Sequence, residues 1–186
     1  MIIEAFLAFV RDPLYRKDPN TSPSYIIHTT FRLLVWALGI GLLLAILLGL
    51  LETAGPWKFG DHAFNELLEQ YPVSLILLLL VVVAPVLEEL IFRGPLWFFR
   101  GSLFFKWYFY GTALVFGLVH LSNFPNLSEI WYLFPLLICP QLCLGLFLGY
   151  VRVRFGLAWA ILFHAAYNGI LAGPALLLVE SGIPTP

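Results

Sequence analysis

A chain of 186 residues that is 61% hydrophobic, 17% aromatic and only 11% charged carries more apolar surface than one soluble core of that length can hide. The composition therefore predicts an all-α, polytopic helix bundle in a lipid bilayer. A formal net charge of -1 excludes the basic face that a nucleic-acid partner would need.

In chain order, Met1 to Val10 is too short to span. Its Ile2, Ile3, Phe6, Phe9 and Val10 form one apolar face, which predicts a helix lying at the membrane interface. Glu4 in place of a basic n-region, with no small-residue cleavage site, does not read as a secretory signal. About five stretches then qualify as spans, since ~20 apolar residues cross the hydrocarbon. They are Leu33 to Leu51, Val73 to Leu87 continuing through Glu88 and Glu89, Trp107 to Leu121, Ile130 to Val151, and Leu157 to Val179. Between the second and third, residues 95–106 are aromatic and sparsely basic, which predicts an amphipathic segment lying in the plane of the inner headgroups. The expected division is an interfacial segment 1–32, a first span with its outer loop 33–72, a core 73–179, and a tail 180–186. Ile-Pro-Thr-Pro at the end is no lipidation signal. Cys139 and Cys143, four apart in an apolar run, read as free thiols.

Every basic residue except Lys58 precedes the first span or lies between the second and third or the fourth and fifth. The positive-inside rule then puts the N-terminus in the cytoplasm and the C-terminus outside, as in a bacterial cytoplasmic membrane. Arg152 and Arg154 read as orientation signals, and His28 and His62 have no evident partner. At 1.5 Å per residue, Glu88 falls roughly 6 Å from the cytoplasmic boundary and His164 roughly 10–12 Å from it. His120 meets them only if its span begins near Gly111, with 95–106 lying flat and Asn123 ending a short helix. One wet cavity opening to the cytoplasm is then expected.

Ionisable side chains are costly inside a bilayer, so those found there are candidates for function. Glu89 and Arg93 are four apart on one helix face, whereas Glu88 is turned away by about 100°. The economical division has Arg93 neutralise Glu89 while Glu88 points into a cavity as a general base. His164 and Asn168 are likewise one turn apart, a spacing that suits two donors aimed at one oxyanion. His120 would hold a water against Glu88. Each motif also has a structural reading: a snorkelling ion pair, an interfacial histidine, an interhelical hydrogen bond. Gln141, after Pro140, reads as a partner for backbone freed by the kink.

Taken together, Glu88-Glu89-Leu-Ile-Phe-Arg93, Phe116-Gly-Leu-Val-His120 and His164-Ala-Ala-Tyr-Asn168 resemble the motifs of the CPBP family. These are the CAAX proteases and bacteriocin-processing (Abi) proteins, related to the type II CAAX prenyl endopeptidases. The resemblance covers 73–179 and implies a glutamate-type intramembrane endopeptidase acting on a peptide or membrane-tethered protein. It implies Glu88, His120, His164 and Asn168 as catalytic and Glu89 and Arg93 as supports. It names no prenylated substrate for this chain, which is small beside the prenyl endopeptidases. Three other readings stand beside it. Two His and a Glu are legitimate zinc ligands, although His-Glu-x-x-His is absent, so no cofactor is expected and zinc is not favoured. The same cavity would also serve a non-enzymatic bacteriocin-immunity or partner-binding protein. An ion relay is disfavoured by the lack of an inverted repeat.

Overall fold

The computed structural model describes residues 2–57, 59, 67–124 and 126–180, and every regular element among them is helical. His62 and the tail beyond Glu180 lie outside the described residues. In order the elements are α1 (Ile2–Arg11), α2 (Pro23–Ala54), α3 (Val73–Trp97), α4 (Phe105–Val119), α5 (Leu127–Leu137), α6 (Cys139–Phe155) and α7 (Leu157–Glu180).

About five spans are expected; among the described residues, three or four helices meet the length and apolarity of a span. Three helices, α2, α3 and α7, are each long and apolar enough to cross a membrane, and α5 with α6, bent by 42°, makes a fourth if the pair is one span. α4 has 15 residues. It rises roughly 22 Å, short of the ~30 Å hydrocarbon. α2 also begins earlier than expected, at Pro23, and carries Arg32 within it. Residues 95–106 are not one flat helix. A tight turn over Gly94–Trp97 closes α3, further turns follow, and α4 already starts at Phe105. Phe98, Phe104 and Trp107 nevertheless stay exposed there, as aromatic residues at a membrane interface do.

α6 is the centre of the bundle, packed against α2, α4 and α7. Small residues allow that approach, as is usual between helices in lipid. A Cβ on Gly145 would lie 3.3 Å from Ala113 and 3.2 Å from Arg93 Nη2, and one on Gly149 would run into the Phe109 ring. Gly145→Leu is therefore expected to cost ~1–3 kcal/mol by overpacking, read as a lower melting temperature of the detergent-solubilised protein. Gly156, at φ 109°, takes a positive-φ backbone that side-chain-bearing residues rarely adopt, and α7 follows α6 at once. α1 presents its predicted apolar face to the bundle. Phe6 stacks on Phe147 with ring centroids 4.0 Å apart, and Phe9 sits edge-on to Phe109 and Tyr150.

One end of the bundle gathers the basic residues. Lys106 pairs with Asp12 at 3.1 Å and Arg154 with Asp18 at 3.0 Å. Arg152, which reads from sequence as an orientation signal, is buried, and its Nε donates to the Arg93 carbonyl at 3.1 Å. It ties α6 to the end of α3, a role that only the folded chain reveals.

Candidate active site

The site begins with an irregularity in α3. Pro85 has no N–H to give and crowds the preceding turn. The helix widens ahead of it, the Ala84 N–H reaching back to the Leu79 carbonyl, five residues away. In that register the Leu80 carbonyl would need the N–H that Pro85 lacks. The Asn168 amide of α7 supplies it instead, Nδ2 donating to Leu80 O at 2.9 Å. A second wide turn runs over Glu89–Arg93, closed by the Gly94 N–H on the Glu89 carbonyl. Such wide turns recur at functional sites because each adds a residue and re-aims the side chains that follow. They also carry α3 on to Trp97, so that Glu88 lies roughly 14 Å from that end of the helix.

Behind the site sits a fully buried ion pair. Arg93 Nη1 lies 3.2 Å from Glu89 Oε1, with the two side chains 1% and 0% exposed. The guanidinium also lies over the Phe116 ring, 4.0 Å from its centroid, which adds a cation–π attraction. Glu89 holds a second partner. His164 Nδ1 is 3.2 Å from Glu89 Oε1, and because a carboxylate only accepts, that nitrogen is the donor. The other ring nitrogen, Nε2, faces Glu88 Oε2 at 3.7 Å. His164 is thus held between the two glutamates. His120 Nδ1 donates to the Phe116 carbonyl at 2.7 Å, which leaves Nε2 of the neutral ring as an acceptor.

Glu88, His120, His164 and Asn168 line one cavity of about 290 Å³, together with Asn123 and Gln141. The four residues singled out from three separate stretches of sequence therefore share a space. Glu89 and Arg93 stand behind its wall. His164 and Asn168, expected as two donors, each already hold a partner: one N–H of Asn168 goes to Leu80, and His164 lies between the glutamates. Asn123 and Gln141, a helix end and a kink partner by sequence, are both wall residues. Their amides beside apolar runs are the signal that points to them. A larger groove of about 590 Å³, lined by Ile91, Phe92, Phe99, Phe104 and Trp107, holds none of these groups. Among the described residues, no three His, Cys, Asp or Glu side chains are grouped as metal ligands would be.

The surroundings of the cavity are buried at one end and exposed at the other. Its deep end is closed by Phe116, Glu89, Arg93 and His164, all buried. Beyond them lie Arg152 and the basic end. In the other direction its lining runs to Asn123 and Leu171, which are exposed.

Neither a curated protein nor a solved structure matches the chain. The family model for Rce1-like type II CAAX prenyl endopeptidases matches residues 70–170, a stretch that holds all three motifs and most of the cavity wall. With more than half of its length inside that match, the chain belongs to the Rce1-like type II CAAX prenyl endopeptidase family, and is thereby an integral membrane protein of the CAAX-protease type.

Proposed function

We propose that the protein is an intramembrane endopeptidase that hydrolyses a peptide bond in a peptide or membrane-tethered protein with a water activated by Glu88 and His120. The observation that carries this reading is the shared cavity of Glu88, His120, His164 and Asn168. A carboxylate and the bare Nε2 of His120 are two acceptors, so a water between them has both hydrogens engaged and a lone pair left for a carbonyl carbon. As the carbon–oxygen bond forms, Glu88 takes the proton and the carbonyl oxygen takes the negative charge. When the tetrahedral intermediate collapses and the carbon–nitrogen bond breaks, the same proton passes from Glu88 to the leaving amine.

The developing oxyanion needs donors. Asn168 keeps its second amide hydrogen after bonding Leu80, and that bond fixes the amide's orientation in advance. His164, when protonated at Nε2, is the second donor. Asn168→Ala is accordingly expected to lower kcat by ~10²–10³-fold with little change in KM, as removal of a donor used only in the transition state does. A raised KM at unchanged kcat would instead make Asn168 a substrate contact. Because the reading is metal-free, cleavage by the purified protein should survive exhaustive chelation. Loss of cleavage with chelator and its return with zinc would replace the glutamate mechanism by a zinc one.

A further inference from the structure

Two carboxamides in the cavity wall take no part in the chemistry above. Gln141, at the start of α6, and Asn123, in the turn that ends α4, line the same space as Glu88, His120, His164 and Asn168. Gln141 does not hold the backbone of the kink beside it. There the Ile138 carbonyl accepts from the Leu142 N–H at 2.8 Å, and the Cys139 thiol donates to the Pro135 carbonyl at 3.1 Å. Among the described residues, neither the Gln141 nor the Asn123 side chain has a hydrogen-bond partner.

The packing of α4 against α6 places Gln141 in the wall. A Cβ on Gly145 would lie 3.3 Å from Ala113, and one on Gly117 would lie 3.4 Å from Ile138 and 3.5 Å from the Leu142 nitrogen. The two helices are therefore antiparallel, and Gln141 stands level with Gly117, about one turn from His120. A substrate whose carbonyl carbon meets the water on Glu88 and His120 brings its neighbouring peptide groups against this wall. Much of the remaining lining is apolar, with Leu80, Ala84 and Leu171. Such side chains offer nothing to a peptide N–H or C=O, and a peptide group buried without a partner is costly. The catalytic groups are already engaged, two with the water and two with the oxyanion. A carboxamide supplies both a donor and an acceptor without charge, and so matches a peptide group.

We propose that Gln141, assisted by Asn123, holds the main chain of the substrate next to the scissile bond. What is recognised there is an extended backbone and not a particular side chain. The assignment rests on the protease reading above.

The test uses the full-length solubilised protein and a mixed library of short fluorogenic peptides, each with and without a C-terminal farnesylated cysteine. The member cleaved fastest is the probe, and it is remade with an ester in place of each amide flanking the scissile bond in turn. Gln141→Met keeps the side chain's length and removes its amide. It is expected to raise KM by ~3–10-fold, the size of one neutral hydrogen bond, and to leave kcat within about 2-fold. Its melting temperature should be unchanged or higher, because the lost amide has no partner within the fold. One of the two esters should raise the wild-type KM by a similar factor and that of Gln141→Met no further. A lower melting temperature with KM unchanged makes Gln141 structural and overturns the proposal. So does a fall in kcat at constant KM, or an ester penalty equal in both proteins. With Glu88→Gln inactive, these outcomes sink the proposal alone. Cleavage that Glu88→Gln leaves intact, or no cleavage of any library member, sinks the protease reading and the proposal with it.

Discussion

Glu88→Gln should lower turnover by at least ~10²-fold while the protein accumulates in the membrane at close to its normal level. The substitution keeps the side chain's shape but removes the group that takes the proton. Its structural cost is small because Glu88 is 27% exposed in the cavity wall and its contact with His164 is long, at 3.7 Å. The comparison to make is cleavage per folded molecule, with the folded fraction read from size-exclusion profiles of the solubilised protein. Unchanged cleavage per folded molecule would remove Glu88 from the mechanism and leave the cavity to a binding role.

The neighbouring glutamate should behave in the opposite way. Glu89 is fully buried and holds both Arg93 and His164, each through contacts at 3.2 Å. Glu89→Gln deprives the buried Arg93 guanidinium of its nearest counter-charge. Breaking a buried pair from one side costs ~3–5 kcal/mol, a large part of the stability of a domain this size. The expected result is a sharp drop in membrane accumulation and a lower melting temperature. Pairing Glu89→Gln with Arg93→Met removes the stranded charge and should recover part of the lost stability, though not activity, because His164 still lacks its anchor. No recovery in the double variant would mean that the pair is held by something other than charge compensation.

The contrast between these two adjacent glutamates is partly legible in the sequence. Helical periodicity puts residues four apart on one face, so the pairing of Glu89 with Arg93 and the freedom of Glu88 follow from local geometry. The same rule puts His164 and Asn168 on one face, and both line the cavity, but it does not name their partners. There the partners come from α3, 75 and 88 residues away in sequence, and nothing local announces them. The Leu80 carbonyl is the clearest example. It becomes an acceptor only because Pro85 denies it a partner within α3, and only the packing of α7 on α3 brings Asn168 to it.

Depth is the other point at which local rules fall short. Counting 1.5 Å per residue from assumed span ends puts Glu88 near the boundary and His120 out of reach, so that a flat segment at 95–106 is needed to bring them together. The folded chain needs none. Wide turns extend α3 past Arg93, α4 starts at Phe105, and Glu88, His164 and His120 line one cavity.

That the chain is an apolar helix bundle follows from its residues alone, because composition and hydropathy are sums that no fold alters. The candidates for the chemistry follow in the same way, since charges and imidazoles inside apolar runs stand out against their neighbours. Which donors already hold partners, how Arg152 is used and which residues share the cavity are matters of tertiary packing. They depend on the relative registers of α3, α4, α6 and α7. Those registers are set by contacts among Gly145, Gly149, Phe116 and Arg93, far apart in the chain, and no periodicity within one helix encodes them.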